Sequence, residues 1–354
     1  LFWNLTLRTP VEVDQIGYDG VAMEQLEFAD DKARKASLDI HKAPEPVYEL
    51  APDDGTAPRA GEIYENVQVL GHVSDENFNR IMAQITEWVA PEQGCTYCHS
   101  DDGNFAHDRY YTKVVARSMI RMTQEINANW SDHVAPAGVN CYTCHRGMNI
   151  PAEYWYTNLE TVETSGVIGW RAGNNTPGIG EASLPTDPFT PYLLDDQQIW
   201  AVSDYVHPGQ EGTKGTKHTE WTYSLMNHMS SSLGVNCTYC HNSRNFGSWE
   251  QSPPTRTNAW YGIRMARDVN VRFMTPLEDY FPPHRKGPEG DVFKQHCTTC
   301  HQGVNKPLYG ADMISQYPSL AAPGDQPWPP EQGLGRGEDA GTVDPNNMAE
   351  TEQQ

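Results

Sequence analysis

All eight cysteines of this chain fall into one repeated arrangement with a histidine. The four copies are Cys95-Thr96-Tyr97-Cys98-His99, Cys141-Tyr142-Thr143-Cys144-His145, Cys237-Thr238-Tyr239-Cys240-His241 and Cys297-Thr298-Thr299-Cys300-His301. Thiols three residues apart reach the two vinyl groups on one edge of a porphyrin, and the adjacent imidazole reaches its iron. The pattern therefore predicts four covalently bound c-type haems, with His99, His145, His241 and His301 as axial ligands. A thioredoxin-like dithiol needs one such pair beside a βαβ pattern. Zinc ribbons do not require a histidine after every pair. Disulfides would compete for thiols already committed to thioethers. The chemistry of such a set is single-electron exchange.

Each iron needs a second ligand, and thioether or imidazole are the usual choices. Most helical methionines are core packing, so position has to select among the 11 present. Met82 precedes Cys95 on the predicted haem-facing side of a helix, and Met226 stands at the matching place before Cys237. For the second motif, Met119 and Met122 are both open. An internal alignment pairs Met122 with Met265, and Met119 with Gly262, which has no side chain to offer. If Met119 serves the second iron, the fourth must take its ligand from elsewhere. His133 is a candidate, as are His228, His284 and His296, and the residues alone do not choose among them.

The elements that must position these groups also repeat. Cys95-Thr-Tyr-Cys-His99 matches Cys237-Thr-Tyr-Cys-His241, each followed by Asn-Phe (Asn104-Phe105, Asn245-Phe246), whereas His145-Arg-Gly147 matches His301-Gln-Gly303. Ile120-Arg121-Met122 lines up with Ile263-Arg264-Met265. A duplicated two-haem unit with an approximate two-fold relation follows. Ser74 begins a predicted helix, with Asp75 and Glu76 in its first turn. Phe78, Ile81, Met82, Ile85, Trp88 and Val89 recur at helical spacing until Pro91. Further helices are predicted over about 108–127, 219–233 and 258–273. Strand signals are sparse. The expected fold class is mostly α with long irregular loops, a multihaem cytochrome built from two pseudo-two-fold-related two-haem units. The expected organisation is an N-terminal extended segment (1–66), a first two-haem unit (67–150), a connecting segment (151–215), a second unit (216–310) and a Pro/Gly/acid-rich tail (311–354).

With 38% hydrophobic residues, 29 Gly and 26 Pro, the chain relies on irregular connections, and porphyrins would supply part of its core. The net charge of −22 repels nucleic acid and favours a basic partner, or else simply keeps the chain soluble in a salty medium. No apolar run is long enough to span a bilayer. Covalent haem attachment takes place outside the cytoplasmic membrane, which places the chain in a periplasmic compartment. The apolar start at Leu1 reads as the end of a signal or anchor helix.

Beyond the four motifs, several segments carry a family resemblance: Ile85-Thr-Glu-Trp-Val89, Val114-Val-Ala-Arg117, Ile126-Asn-Ala-Asn-Trp130, Cys141-Tyr-Thr-Cys-His-Arg-Gly147 and Trp260-Tyr-Gly-Ile-Arg-Met265. From about Gly17 to Pro318 the chain resembles the tetrahaem cytochrome subunits of photosynthetic reaction centres of purple bacteria and related phototrophs. That resemblance implies methionine on the first three irons, falling on Met82, Met119 and Met226, and a second histidine on the fourth, falling on His133. Arg256 resembles a family arginine near the third haem, where a positive charge raises the potential. The resemblance further implies haems alternating in potential, the third nearest the photo-oxidised bacteriochlorophyll pair. The implied partners are reaction-centre core subunits carrying bacteriochlorophyll and a soluble c-type cytochrome or high-potential iron–sulfur protein as donor. The expected location is the periplasmic face of the photosynthetic inner membrane, and the expected role is electron carriage rather than catalysis. Some family members begin at a lipid-bearing cysteine, whereas every cysteine here is used by a motif. Anchoring is therefore expected from an apolar segment upstream of Leu1 or from the core subunits.

Overall fold

The structure, a computed structural model, describes residues 10–15, 24–157, 184–185, 187–199, 201, 216–324 and 328–329. It is mostly helical with irregular loops, and the only sheet among the described residues is a hairpin of β1 (Val11–Gln15) and β2 (Glu24–Phe28). The helices, in chain order, are α1 (Ala29–Ser37), α2 (Ala60–Ile63), α3 (Asp75–Val89), α4 (Tyr111–Asn129), α5 (Ser131–Val134), α6 (Cys141–His145), α7 (Thr216–Leu233), α8 (Thr255–Val269) and α9 (Cys297–His301). The connecting segment expected over 151–215 and the acidic tail lie largely outside the described residues. No described helix is long and apolar enough to cross a membrane.

Two compact units divide the chain. One comprises Ala43–Tyr154, Val269–Lys294 and Gly310–Gln354, and holds the first two Cys-x-x-Cys-His motifs. The other comprises Leu1–Lys42, Trp155–Asp268 and Gln295–Tyr309, and holds the last two.

In the first unit, α3 buries Ile81 and Trp88 against Leu70, Val73, Ile120 and Cys141. Asp75 and Glu76 lie in its first turn, where carboxylates complement the helix dipole. Ser74 occupies the N-cap position, yet its side chain makes no cap bond; its hydroxyl accepts from Asn77 Nδ2 at 3.2 Å instead. Residues past Gly310 complete this core. Tyr317 meets Trp88 edge-on at 4.6 Å, Leu320 is fully buried, and Gln124 and Asn127 of α4 donate to the carbonyls of Ser319 and Leu320. Polar side chains of α4 thus pair with carbonyls of the short 3₁₀ turn Pro318–Leu320.

The second unit is smaller and built the same way. Leu225 of α7, Ile263 and Ala266 of α8, and Trp155, Tyr192 and Leu193 form its core. Gln295 ties two of these parts together: its carbonyl accepts from Trp155 Nε1 at 3.1 Å and its amide donates to Ala266 O at 2.9 Å. The helix expected over 258–273 starts earlier, at Thr255, and passes at Asn270 into a wider turn ending at Met274.

Candidate haem-binding motifs

Each motif is a single helical turn directly after, or pinned to, a longer helix. The first and third are 3₁₀ turns, Gly94–Tyr97 and Cys237–Tyr239. In both, the histidine backbone N–H donates to the carbonyl of the first cysteine at 3.0 Å, which closes the turn. A threonine at the start of the next helix locks each turn. Thr112 donates to Tyr97 O, and its repeat counterpart Thr255 donates to Tyr239 O.

The second and fourth motifs are the α-helical turns α6 and α9. A capping box starts α6, in which Asn140 Oδ1 accepts Thr143 N–H at 3.3 Å and Thr143 Oγ1 accepts Asn140 N–H at 3.0 Å. His296 and Thr299 stand in the same relation at α9, with Thr299 Oγ1 accepting His296 N–H at 3.0 Å. Both turns end in left-handed residues, Arg146 at φ 52° and Gln302 at φ 49°, followed by Gly147 at φ 81° and Gly303 at φ 86°. That reversal points the glycine N–H back at the upstream helix. Gly147 donates to Trp88 O at 2.9 Å and Gly303 to Ser232 O at 2.8 Å. Trp88 and Ser232 occupy equivalent positions, each six residues beyond Met82 or Met226.

The imidazoles carry the most informative feature. Every motif histidine directs Nδ1 at a backbone carbonyl: His99 at Phe105 (3.2 Å), His145 at Met148 (2.9 Å), His241 at Phe246 (2.9 Å) and His301 at Val304 (3.0 Å). An Nδ1–H held by a carbonyl fixes the tautomer and leaves Nε2 as the electron-pair donor. Burial lowers the proton affinity of His99, His145 and His241, which favours the neutral, metal-binding form. None of the eight cysteines is in a disulfide. Among the described residues no three His, Cys, Asp or Glu side chains converge into a metal-holding group. Thiols outside any disulfide, in pairs beside an Nε2-presenting imidazole, fit covalently attached haem.

Met82 is half-buried on α3 beside the first core, Met119 is half-buried on α4, and Met226 of α7 packs against the second core. Thr86 and Thr123 donate to the carbonyls of Met82 and Met119 one turn back. His133 is half-buried on α5, in the first unit, whereas the fourth motif belongs to the second. His296 is occupied at the start of α9 and lies 4.5 Å from the His228 ring, with Phe189 against both. Burial pushes His228 down to about 3 and His296 to about 4, which keeps both rings neutral. His284 is exposed.

No residue type in the sequence marks the carbonyl acceptors. The Asn-Phe pair after the first and third motifs was visible in the repeat, and the structure gives its purpose. Phe105 and Phe246 supply the acceptor, and their rings lie 4.7 and 5.6 Å from the imidazoles.

A buried charge cluster adjoins the first motif. Asp108, with no exposed side-chain surface, accepts from Arg117 at 2.6 Å and Asn66 at 2.9 Å and pairs with Lys113 at 3.0 Å. Desolvation would raise its pKa, but hydrogen bonding and charge from Arg117 outweigh that and hold it at about 2.

Residues 7–321 match the sequence pattern of the photosynthetic reaction centre cytochrome C subunit family. Similar proteins carry the corresponding name, photosynthetic reaction center cytochrome c subunit. That of Rubrivivax gelatinosus is 46% identical over 317 residues, covering 88% of this chain and 84% of the relative. That of Thermochromatium tepidum is 46% identical, covering 88% and 75%. That of Roseobacter denitrificans is 44% identical, covering 79% and 80%. With the paired thiols and oriented imidazoles in place across that span, the chain belongs to the photosynthetic reaction-centre cytochrome c subunits, which are electron carriers rather than enzymes.

Proposed function

We propose that the chain binds four haems c and re-reduces the photo-oxidised bacteriochlorophyll pair of a reaction centre, drawing electrons from a soluble periplasmic carrier. The observation that carries this reading is the fourfold repetition of Nδ1–H to backbone carbonyl, which prepares four imidazoles for iron. Each haem, when bound, supplies a one-electron store at its iron. The chain anchors it by the thioethers of Cys95 and Cys98, Cys141 and Cys144, Cys237 and Cys240, or Cys297 and Cys300. His99, His145, His241 and His301 would hold the irons through Nε2. Met82, Met119 and Met226 would supply soft thioether sulfur to the first, second and third, and His133 would supply imidazole to the fourth. Family likeness supports this allocation, and the capping, stacking and exposure of His296, His228 and His284 support choosing His133. Thioether favours the reduced iron more than imidazole does, so the fourth centre has the lowest potential expected from ligation.

Each compact unit is read as a two-haem unit facing the periplasm at the surface of the photosynthetic membrane, docked on core subunits. The donor is a small c-type cytochrome or a high-potential iron–sulfur protein. Mass spectrometry of the purified subunit tests the stoichiometry, with four thioether-linked haems expected and fewer overturning it. Flash excitation of membranes tests the role: haem oxidation within the flash-induced transient is expected, and its absence leaves a respiratory shuttle in place of a photosynthetic one.

A further inference from the structure

The Phe105 carbonyl accepts two hydrogen bonds from very different donors. His99 Nδ1–H reaches it at 3.2 Å, and the Lys113 ammonium reaches it at 2.8 Å. Lys113 also donates to His107 O at 2.7 Å, so its Nζ is held at the mouth of the loop that follows the first motif. Its side chain is only 10% exposed, that of Arg117 is 5% exposed and that of Asp108 is 0% exposed. Two cations around one carboxylate leave a net positive charge in a desolvated place, two hydrogen bonds from the His99 ring.

The internal repeat sharpens the comparison. Lys113 follows Thr112 as Arg256 follows Thr255, so a cation stands at the same step of both units. Arg256 does not reach the acceptor of its histidine. It donates instead to Ser248 O at 2.9 Å and Ser252 Oγ at 2.8 Å, with its guanidinium 4.0 Å over the Trp249 ring. Trp260 stands at the repeat position of Arg117. The first unit has therefore wired its cation to the histidine's own acceptor, whereas the second has not.

The geometry points to Lys113 as a positioning residue that raises the potential of the first haem through the carbonyl it shares with His99. This rests on the haem reading of Cys95, Cys98 and His99. A carbonyl already bound by an ammonium is a poorer acceptor for the ring N–H, so the imidazole is less imidazolate-like and donates less to iron. Weaker donation disfavours the ferric state, and a nearby buried positive charge does the same. Both effects have one sign, and removal of Lys113 lowers the potential.

The test is haem-resolved redox titration of the whole subunit carrying Lys113→Gln, after mass spectrometry has established the full haem complement. Loss of haem from the wild-type subunit would overturn the haem reading itself, separately from any shift. The ferric-to-ferrous equilibrium of the first haem is expected to move about tenfold toward ferric, about 59 mV for one electron. The other haems are expected to move less than about threefold. Lys113→Arg should restore most of the shift, and the methionine–iron charge-transfer band should persist in both variants. An unchanged first haem in Lys113→Gln overturns the proposal. So does an Arg variant shifted as far as the Gln variant, because that would make the role one of packing. If Lys113→Gln does not assemble, Lys113→Met carries the same expectation in the same channel. Asp108→Asn, which adds net positive charge, should shift the equilibrium the opposite way, and a shift toward ferric would overturn the assignment.

Discussion

At the scale of single residues, the division of labour between side chain and backbone is sharp. Cysteine and histidine declare themselves by type and spacing, but what makes the histidine a usable ligand is a carbonyl three to six residues further on. Met119→Ala is expected to disturb the second haem alone, producing a centre that binds carbon monoxide; an unaltered second haem would shift the role to Met122. His133→Ala is expected to leave the first three haem spectra intact and alter only the fourth, read by EPR. Met119 and His133 follow only from the family resemblance, whereas the motifs and the proposed ligands Met82 and Met226 were nameable from residue type and position, because a ligand must have a particular chemistry. Phe105, Met148, Phe246 and Val304 were not, because any residue has a carbonyl and only the loop's path selects which one faces the ring. Lys113 was hidden for a related reason: in a helix whose neighbours are Thr112 and Val114, an isolated lysine reads as solvent-facing.

At the scale of elements, periodicity located the helices well and their ends less well. The helix starting at Ser74 was placed within a residue, since charge pattern and Pro91 bound it on both sides. The start of α8 was missed by three residues, because Thr255 is recruited by its bond to Tyr239 O, a tertiary contact without a local signature. The end of α7 is a site where sequence and structure meet at one atom. Gly234 has φ 65°, and a Cβ there would stand 2.1 Å from the Gly303 carbonyl oxygen. Ordinary backbone strain at such a position costs about 1 kcal/mol, and a collision with backbone adds to it. Gly234→Ala should therefore lower the stability of the second unit by clearly more than ~1 kcal/mol, seen as a fall in Tm with Gly147→Ala, which meets no atom, as the milder control.

At the scale of the whole molecule, two charge distributions act differently. The buried Asp108 has a folded pKa of about 2, below the ordinary carboxylate value, so its contribution is present above that ordinary value and disappears as pH falls through the folded one. Stability is expected to drop between about pH 5 and pH 2 by on the order of 2 kcal/mol from this group. Thermal unfolding across that window should show a flatter profile in Asp108→Asn. The net charge of −22, by contrast, belongs to the chain as a whole, and its action on a partner is screened by salt. Electron delivery from a basic soluble donor should slow as ionic strength rises, followed by flash kinetics, while a salt-independent rate would assign the acidity to solubility alone.

The glycine N–H that follows α6, and its counterpart after α9, each grip a carbonyl near the end of the helix that bears Met82 or Met226. Under the proposed ligand allocation, a thioether for one metal and an imidazole for the next would thereby be mounted on the same bracket. Gaining or losing charge at either centre would then leave little slack for its ligands to shift. A low reorganisation energy would then be inherited from the backbone, before any choice of side chain is made.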